Sequence, residues 1–157
     1  MRLSTRQAWL ASLDQPRIEA AIAAAEARTS AEIRVSAAPV FWGSVKRTAQ
    51  WAFERMGMAR TQERNGILIF VVPARRKFVV LGDVAVHSRV GQEFWDGLAD
   101  TLSREFRKDR FTEGLIAAIG QIGVQLAAHF PPQPDAVNEL ADAVDLGESE
   151  PGPRAPA

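Results

Sequence analysis

Glu63, Asn65 and Asp83 stand out first for their chemistry and placement. Glu63 and Asn65 lie in a polar run, Thr61-Gln62-Glu63-Arg64-Asn65, that opens onto the apolar stretch from Gly66 to Val72. Asp83 closes a second such stretch, Lys77 to Leu81, just after Gly82. The turn between the two stretches, Pro73-Ala74-Arg75-Arg76, is too short for a helical crossover, so they are expected to pair antiparallel as a hairpin. Antiparallel pairing brings the start of one strand beside the end of the other. Two carboxylates and an amide oxygen would then share a rim. These are hard donors, suited to calcium, which takes about six to eight oxygens. The same residues have a plainer reading. Asn65-Gly66 shapes a turn, and Asp83 caps the segment that follows it. No EF-hand or HExxH spacing accompanies them.

Glu32, Arg64, His87 and Asp96 are accessory candidates. Glu32 opens an alternating stretch and reaches either a helix or the same rim. His87 follows Asp83 by one helical turn. Glu93 and Asp96 flank Trp95 with the spacing of a solvent face. The alternative chemistry is metal-assisted phosphoester hydrolysis, with Glu63 and Asp83 as ligands and Arg64 steadying the phosphate. No Walker A and no GxSxG motif is present, and with no cysteine there is neither a thiolate nucleophile nor a disulfide. His129, the other histidine, suits the C-terminal dipole of a last helical turn. Arg104, Arg107, Lys108 and Arg110, like Arg75-Arg76-Lys77, read as solvated faces. The pI near 6.8 argues against nucleic acid.

The elements that must position these residues follow from apolar spacing. Ser4 and Asp14 are candidate helix caps. Ile18, Ala21, Ile22 and Ala25 recur at helical spacing after Pro16. Ala31 to Ser36 alternates with period two and reads as a half-buried strand. Ser44 caps a helix carrying Val45, Ala49, Ala52, Phe53 and Met56. Residues 66–72, apolar on both faces, read as a central strand. A long helix is expected from about Ser88 to Lys108, and a last one from Thr112 to Pro131. The order α-β-α-β-β-α-α predicts an α/β fold, a three-layer helix–sheet–helix sandwich. Its small mixed sheet contains a βαβ unit and a hairpin. Open sheets of this kind bind ligands outside their carboxyl ends, which for the first strand means Ser36.

Residues 1–130 form the expected domain, and residues 131–157 an acidic, proline-rich tail expected to be disordered. Six acids against Arg154 leave the tail at −5, so the formally neutral chain has a body of +5. Leu140, Val144 and Leu146 could form one helical turn. The tail could also fold back on the basic body as a salt-sensitive, autoinhibitory contact. Arg6, Gln7, Ser12 and Asp14 break any leader-like apolar run, and no window approaches the roughly 18 apolar residues of a membrane span. A cytoplasmic protein is expected, at most peripheral to the inner membrane. Phe41 and Trp42, in the loop after the first strand, are candidates for docking a partner, with core filling or loop anchoring as the equal alternative.

Four segments in series resemble the TPM domain family. They are Thr29 to Val35, Thr61 to Ile69, Arg76 to Asp83, and Phe106 to Leu115. The resemblance spans about residues 16–131 and implies a Rossmann-like sandwich. Among the proteins it resembles are a thylakoid-lumen protein described as an acid phosphatase and an auxiliary protein of a nematode receptor channel. Some bacterial relatives bind calcium. Longer membrane-bound relatives accompany LemA-like proteins. The resemblance therefore implies an accessory module that binds calcium at Glu63, Asn65 and Asp83. Its implied partner is a membrane-bound TPM relative or a LemA-like protein. An acid-phosphatase-like enzyme is the alternative.

Overall fold

Gly66 to Val72 contains no polar side chain, so a strand made of it must be covered on both faces. In the computed structural model, which describes residues 9, 11–133 and 142–147, it is the central strand and buried throughout. Among the described residues the main elements follow in the order α1 (Gln15–Glu26), β1 (Glu32–Ala37), α2 (Val45–Arg55), β2 (Gly66–Val72), β3 (Lys77–Gly82), α3 (Val84–Arg89), α4 (Gln92–Arg107) and α5 (Phe111–Ala127). Short 3-10 turns at Met58–Arg60 and Pro73–Arg75 flank β2. This is a mixed α/β fold with sheet order β1-β2-β3. β1 runs parallel to β2, with Glu32 opposite Gly66. β3 returns antiparallel, with Ile67 opposite Gly82.

Each face of the sheet has its own core. Ile33, Val35, Ile67, Ile69 and Val71 pack with Ile18, Ile22, Leu98, Leu102 and Ile119 from α1, α4 and α5. Leu68, Phe70 and Val72 point the other way, onto Val45, Ala49 and Ala52 of α2 and onto Met58. The period of two along β2 thus feeds two apolar layers at once.

The first two helices start as their sequences require. The Asp14 carboxylate accepts from Arg17 N–H at 3.2 Å, ahead of Pro16 in the first turn. The Ser44 hydroxyl accepts from Arg47 N–H at 3.1 Å. Ser4 lies outside the described residues. The single long helix expected over 88–108 is two. Asp83 caps α3, Val90 is extended (φ −108°, ψ 153°), and Gly91 stands at the N-cap of α4. The chain turns there while Val90, Phe94 and Leu98 keep helical spacing, so apolar periodicity alone conceals the break. The last helix begins one residue before its expected cap. Thr112 lies inside it, and the Thr112 hydroxyl instead accepts from Asp14 N–H at 3.0 Å.

α1 and α5 meet at Gly123. A Cβ there would stand 2.9 Å from the Ala25 Cβ and 3.1 Å from its Cα. Gly123→Leu should force the helices apart. Even after the helix-propensity gain, it should cost about 2 kcal/mol in denaturant unfolding. An unchanged midpoint would contradict this packing.

Of the acidic tail, residues 131–133 and 142–147 are described, and the second stretch meets β1. Val144 and Asp145 are buried, and Asp145 forms a parallel bridge with Ser36 of β1. Val144 and Leu146 are not in a helix there, and Leu140 falls among the undescribed residues 134–141 and 148–157. Among the described residues no helix is long and apolar enough to cross a membrane.

Candidate functional site

The hairpin does what its short turn implies. It sets the start of β2 beside the end of β3, and the Asp83 N–H donates to the Gly66 carbonyl at 2.8 Å. The loop before β2 is tied to the helix after β3 as well, since Ala85 N–H donates to the Arg64 carbonyl at 3.1 Å. Glu32, register partner of Gly66, stands at this same end of the sheet. Glu63, Asn65 and Asp83 therefore share one rim, at the amino ends of the two parallel strands.

On that rim the oxygens fall into two clusters. Glu63 Oε2 accepts from the Ser30 hydroxyl at 2.7 Å and from the Asn65 amide at 3.1 Å. Its Oε1 accepts from Gln133 at 3.1 Å, tying the chain after α5 to the rim. Asn65 is buried, with its N–H on the Thr61 hydroxyl at 3.3 Å. Asp83 belongs to the second cluster. Arg64 reaches it with both arms, Nε to Oδ2 at 2.6 Å and Nη2 to Oδ1 at 2.8 Å. Val84 N–H donates to Oδ1 at 2.8 Å, so the same carboxylate caps α3.

The two members of that ion pair differ in burial. Asp83 is 5% exposed, while the Arg64 side chain is 47% exposed on a residue with φ 51°. Burial raises the Asp83 pKa, but Arg64's hydrogen bonds and charge and the Val84 N–H together outweigh it. The carboxyl is held below its usual range and is ionised.

The accessory candidates divide. Arg64 is on the rim, as the partner of Asp83. His87 is exposed on α3, and its ring stacks on Trp95 with centroids 4.7 Å apart. Asp96 is exposed and accepts from Gln92 at 3.0 Å within α4. Glu32 is buried, and its charge acts on Glu26 at the end of α1. Of the basic residues read as solvated, Arg110 pairs with Glu105 at 2.7 Å and Arg76 with Asp109 at 2.6 Å. Among the described residues, no group of three or more His, Asp or Glu is spaced to hold a metal in this arrangement.

The loop carrying Phe41 and Trp42 is held from below. Arg75 lies over the Phe41 ring at 5.4 Å and donates to the Phe41 and Gly43 carbonyls at 3.2 and 3.0 Å. Trp42 stands 95% exposed above it. Sequence reasoning did not connect Ser30 or Gln133 with the rim. Nor did it find the contacts of Asp145 with Arg55 and Ser36 at the far end of β1. The only sequence signal for those is an acid between two apolar residues, Val144-Asp145-Leu146.

Comparison with known proteins bears on the fold and the family. The chain is similar to the BA42 protein of the psychrophilic bacterium Bizionia argentinensis, whose NMR structure superposes with a TM-score of 0.80. The two are 32% identical over 85% of this chain and 92% of that one. The N-terminal domain of cg2496 from Corynebacterium glutamicum shares the fold, with a TM-score of 0.56 at 17% identity over 70% of this chain and 69% of that one. No curated protein matches the sequence. The TPM domain model matches residues 5–125, most of the chain, and on that match the protein belongs to the TPM domain family.

Proposed function

We propose that this chain is a TPM-domain binding module whose rim takes up a divalent cation in exchange for the Arg64 guanidinium. The reading rests on the Asp83–Arg64 pair. A buried, ionised carboxylate is neutralised by an arginine that is half in solvent. The donors fit a hard cation: Asp83 and Glu63 carboxylates and, with its amide turned, the Asn65 oxygen. Calcium is the ion this chemistry favours. When bound, it would supply positive charge and would order the loop that carries Glu63 and Arg64.

The module acts by docking, and Trp42, presented on a pinned loop, is its contact with a partner protein. A membrane-bound TPM relative or a LemA-like protein is the partner that family resemblance favours. Two separate apolar layers, one on each face of the sheet, support reading the architecture as a Rossmann-like sandwich. The hydrolase alternative draws less support, because His87, the histidine nearest the rim in sequence, stacks on Trp95. Calcium titration followed by amide NMR is the test. Shifts should begin at residues 61–66 and 83–85, and Asp83→Ala should abolish them. Unchanged spectra at millimolar calcium would contradict the proposal.

A further inference from the structure

The other end of β1 borders a cleft. In α/β sheets the crevice outside the carboxyl ends of parallel strands is where ligands enter. Here a cleft of about 540 Å³ opens there, between the end of β1 and α2. Ser36 and Ala38 form its floor, Trp51 and Arg55 one wall, and Leu146 and Gly147 of the tail another. Trp51 is 59% exposed, and the Arg55 guanidinium lies 5.0 Å from its ring centre.

β1 is an edge strand, and the tail occupies its free side. Ala37 N–H donates to the Asp145 carbonyl at 2.8 Å, and Asp145 N–H to the Val35 carbonyl at 2.9 Å. The Asp145 carboxylate is met by the Ser36 hydroxyl at 2.7 Å and by Arg55, whose Nη1 stands 3.1 Å from Oδ1. Arg55's side chain is only 13% exposed, so this is a desolvated, charge-assisted anchor. Val144 is buried beside it, its N–H on Glu19 at 3.2 Å, and Arg34 holds the Ala143 carbonyl at 3.1 Å. Backbone pairing gives such a site affinity. The carboxylate pocket and its apolar neighbours give it specificity.

We propose that the β1 edge and Arg55 form a peptide-binding site, held closed by the chain's own Asp142–Gly147. When it opens, the occupant is an extended segment of another protein with an acidic residue between apolar ones. The chain's own segment is the template for that ligand, complementary in charge to Arg55 and in backbone to β1. The site lies at the opposite end of β1 from the Asp83 rim and is independent of the cation reading. A tethered segment competes at an effective concentration near millimolar, so a free peptide must overcome the tether.

The test uses the full chain and a fluorescent peptide spanning residues 140–149. Asp145→Ala removes the tether's anchor and leaves the groove intact. That variant should bind the peptide at least about tenfold more tightly than the unaltered chain does. A peptide with alanine in place of the aspartate at position 145 should not bind it, a control that alters no residue of the protein. Arg55→Ala added to Asp145→Ala should also lose binding, with folding checked by amide NMR. Equal affinity of both chains for the peptide, or binding of the alanine peptide, would overturn the proposal. So would a dimer of the unaltered chain that the peptide dissociates, because the groove would then serve tail exchange between copies.

Discussion

Glu26→Gln should stabilise the protein at alkaline pH and flatten its pH dependence. Glu26 ends α1 and accepts from Ile33 N–H at 3.0 Å, which joins the helix to β1. Burial, a hydrogen bond with Asp142 of the docked tail, and the charges of Asp142 and Glu32 push its carboxyl up to about 10. Arg34, whose own pKa burial lowers, is the cation facing this group. At neutral pH Glu26 is therefore protonated and can donate to Asp142. In the unfolded chain it titrates near 4.5. The folded state binds the extra proton between those values, so stability falls as pH rises through that window. It is fullest below about 4.5 and lost toward 10. Glutamine keeps the shape, accepts from Ile33, donates to Asp142 and never ionises. The variant should melt about 5 °C higher near pH 9 and change little from pH 5 to 9, whereas the unaltered chain's melting temperature falls. Parallel curves would show that Glu26 does not carry the proton.

Asp83→Ala is the second large effect, and its pH dependence has the opposite sign. The substitution removes the cap of α3 and strands the Arg64 guanidinium. A lost cap costs about 1 kcal/mol, and losing the solvent-screened ion pair adds to that. The melting temperature should fall by about 4–8 °C. Asp83→Asn keeps an oxygen for the Val84 N–H and should lose about half as much. Because the Asp83 pKa is lowered, its contribution is present above the ordinary carboxyl value of 3.8 and lost as pH falls below it. Both variants should therefore converge with the unaltered chain at strongly acid pH. A gap that persists there would assign the whole effect to packing.

The parts of this structure that were readable in sequence are those set by local pattern. The all-apolar run of β2 dictated a strand covered on both faces, and the four-residue connection to β3 dictated a hairpin. From the hairpin alone came the placing of Asp83 at the end of the sheet that carries Glu63 and Asn65. Arg64's role was less legible, because a left-handed backbone that turns its side chain onto Asp83 has no signature in residue type. The break at Val90-Gly91 was concealed by apolar spacing that continues across it, though Gly91 was there to be weighed. The Glu26–Asp142 and Arg55–Asp145 pairs join residues 116 and 90 positions apart. No window of sequence relates them. Composition describes the tail as a solvated acidic segment, yet its Asp145 is seated between one buried arginine and one open strand edge.

The cation exchange is tested most directly by calorimetric calcium titration of the unaltered chain beside Arg64→Gln. If the guanidinium holds the cation's place on Asp83, removing it should tighten calcium binding by about threefold, the range of a solvent-screened ion pair. Asp83→Asn should bind none. Heat of binding that is absent from both the unaltered chain and Arg64→Gln, or an affinity that Arg64→Gln leaves unchanged or weakens, would contradict the account.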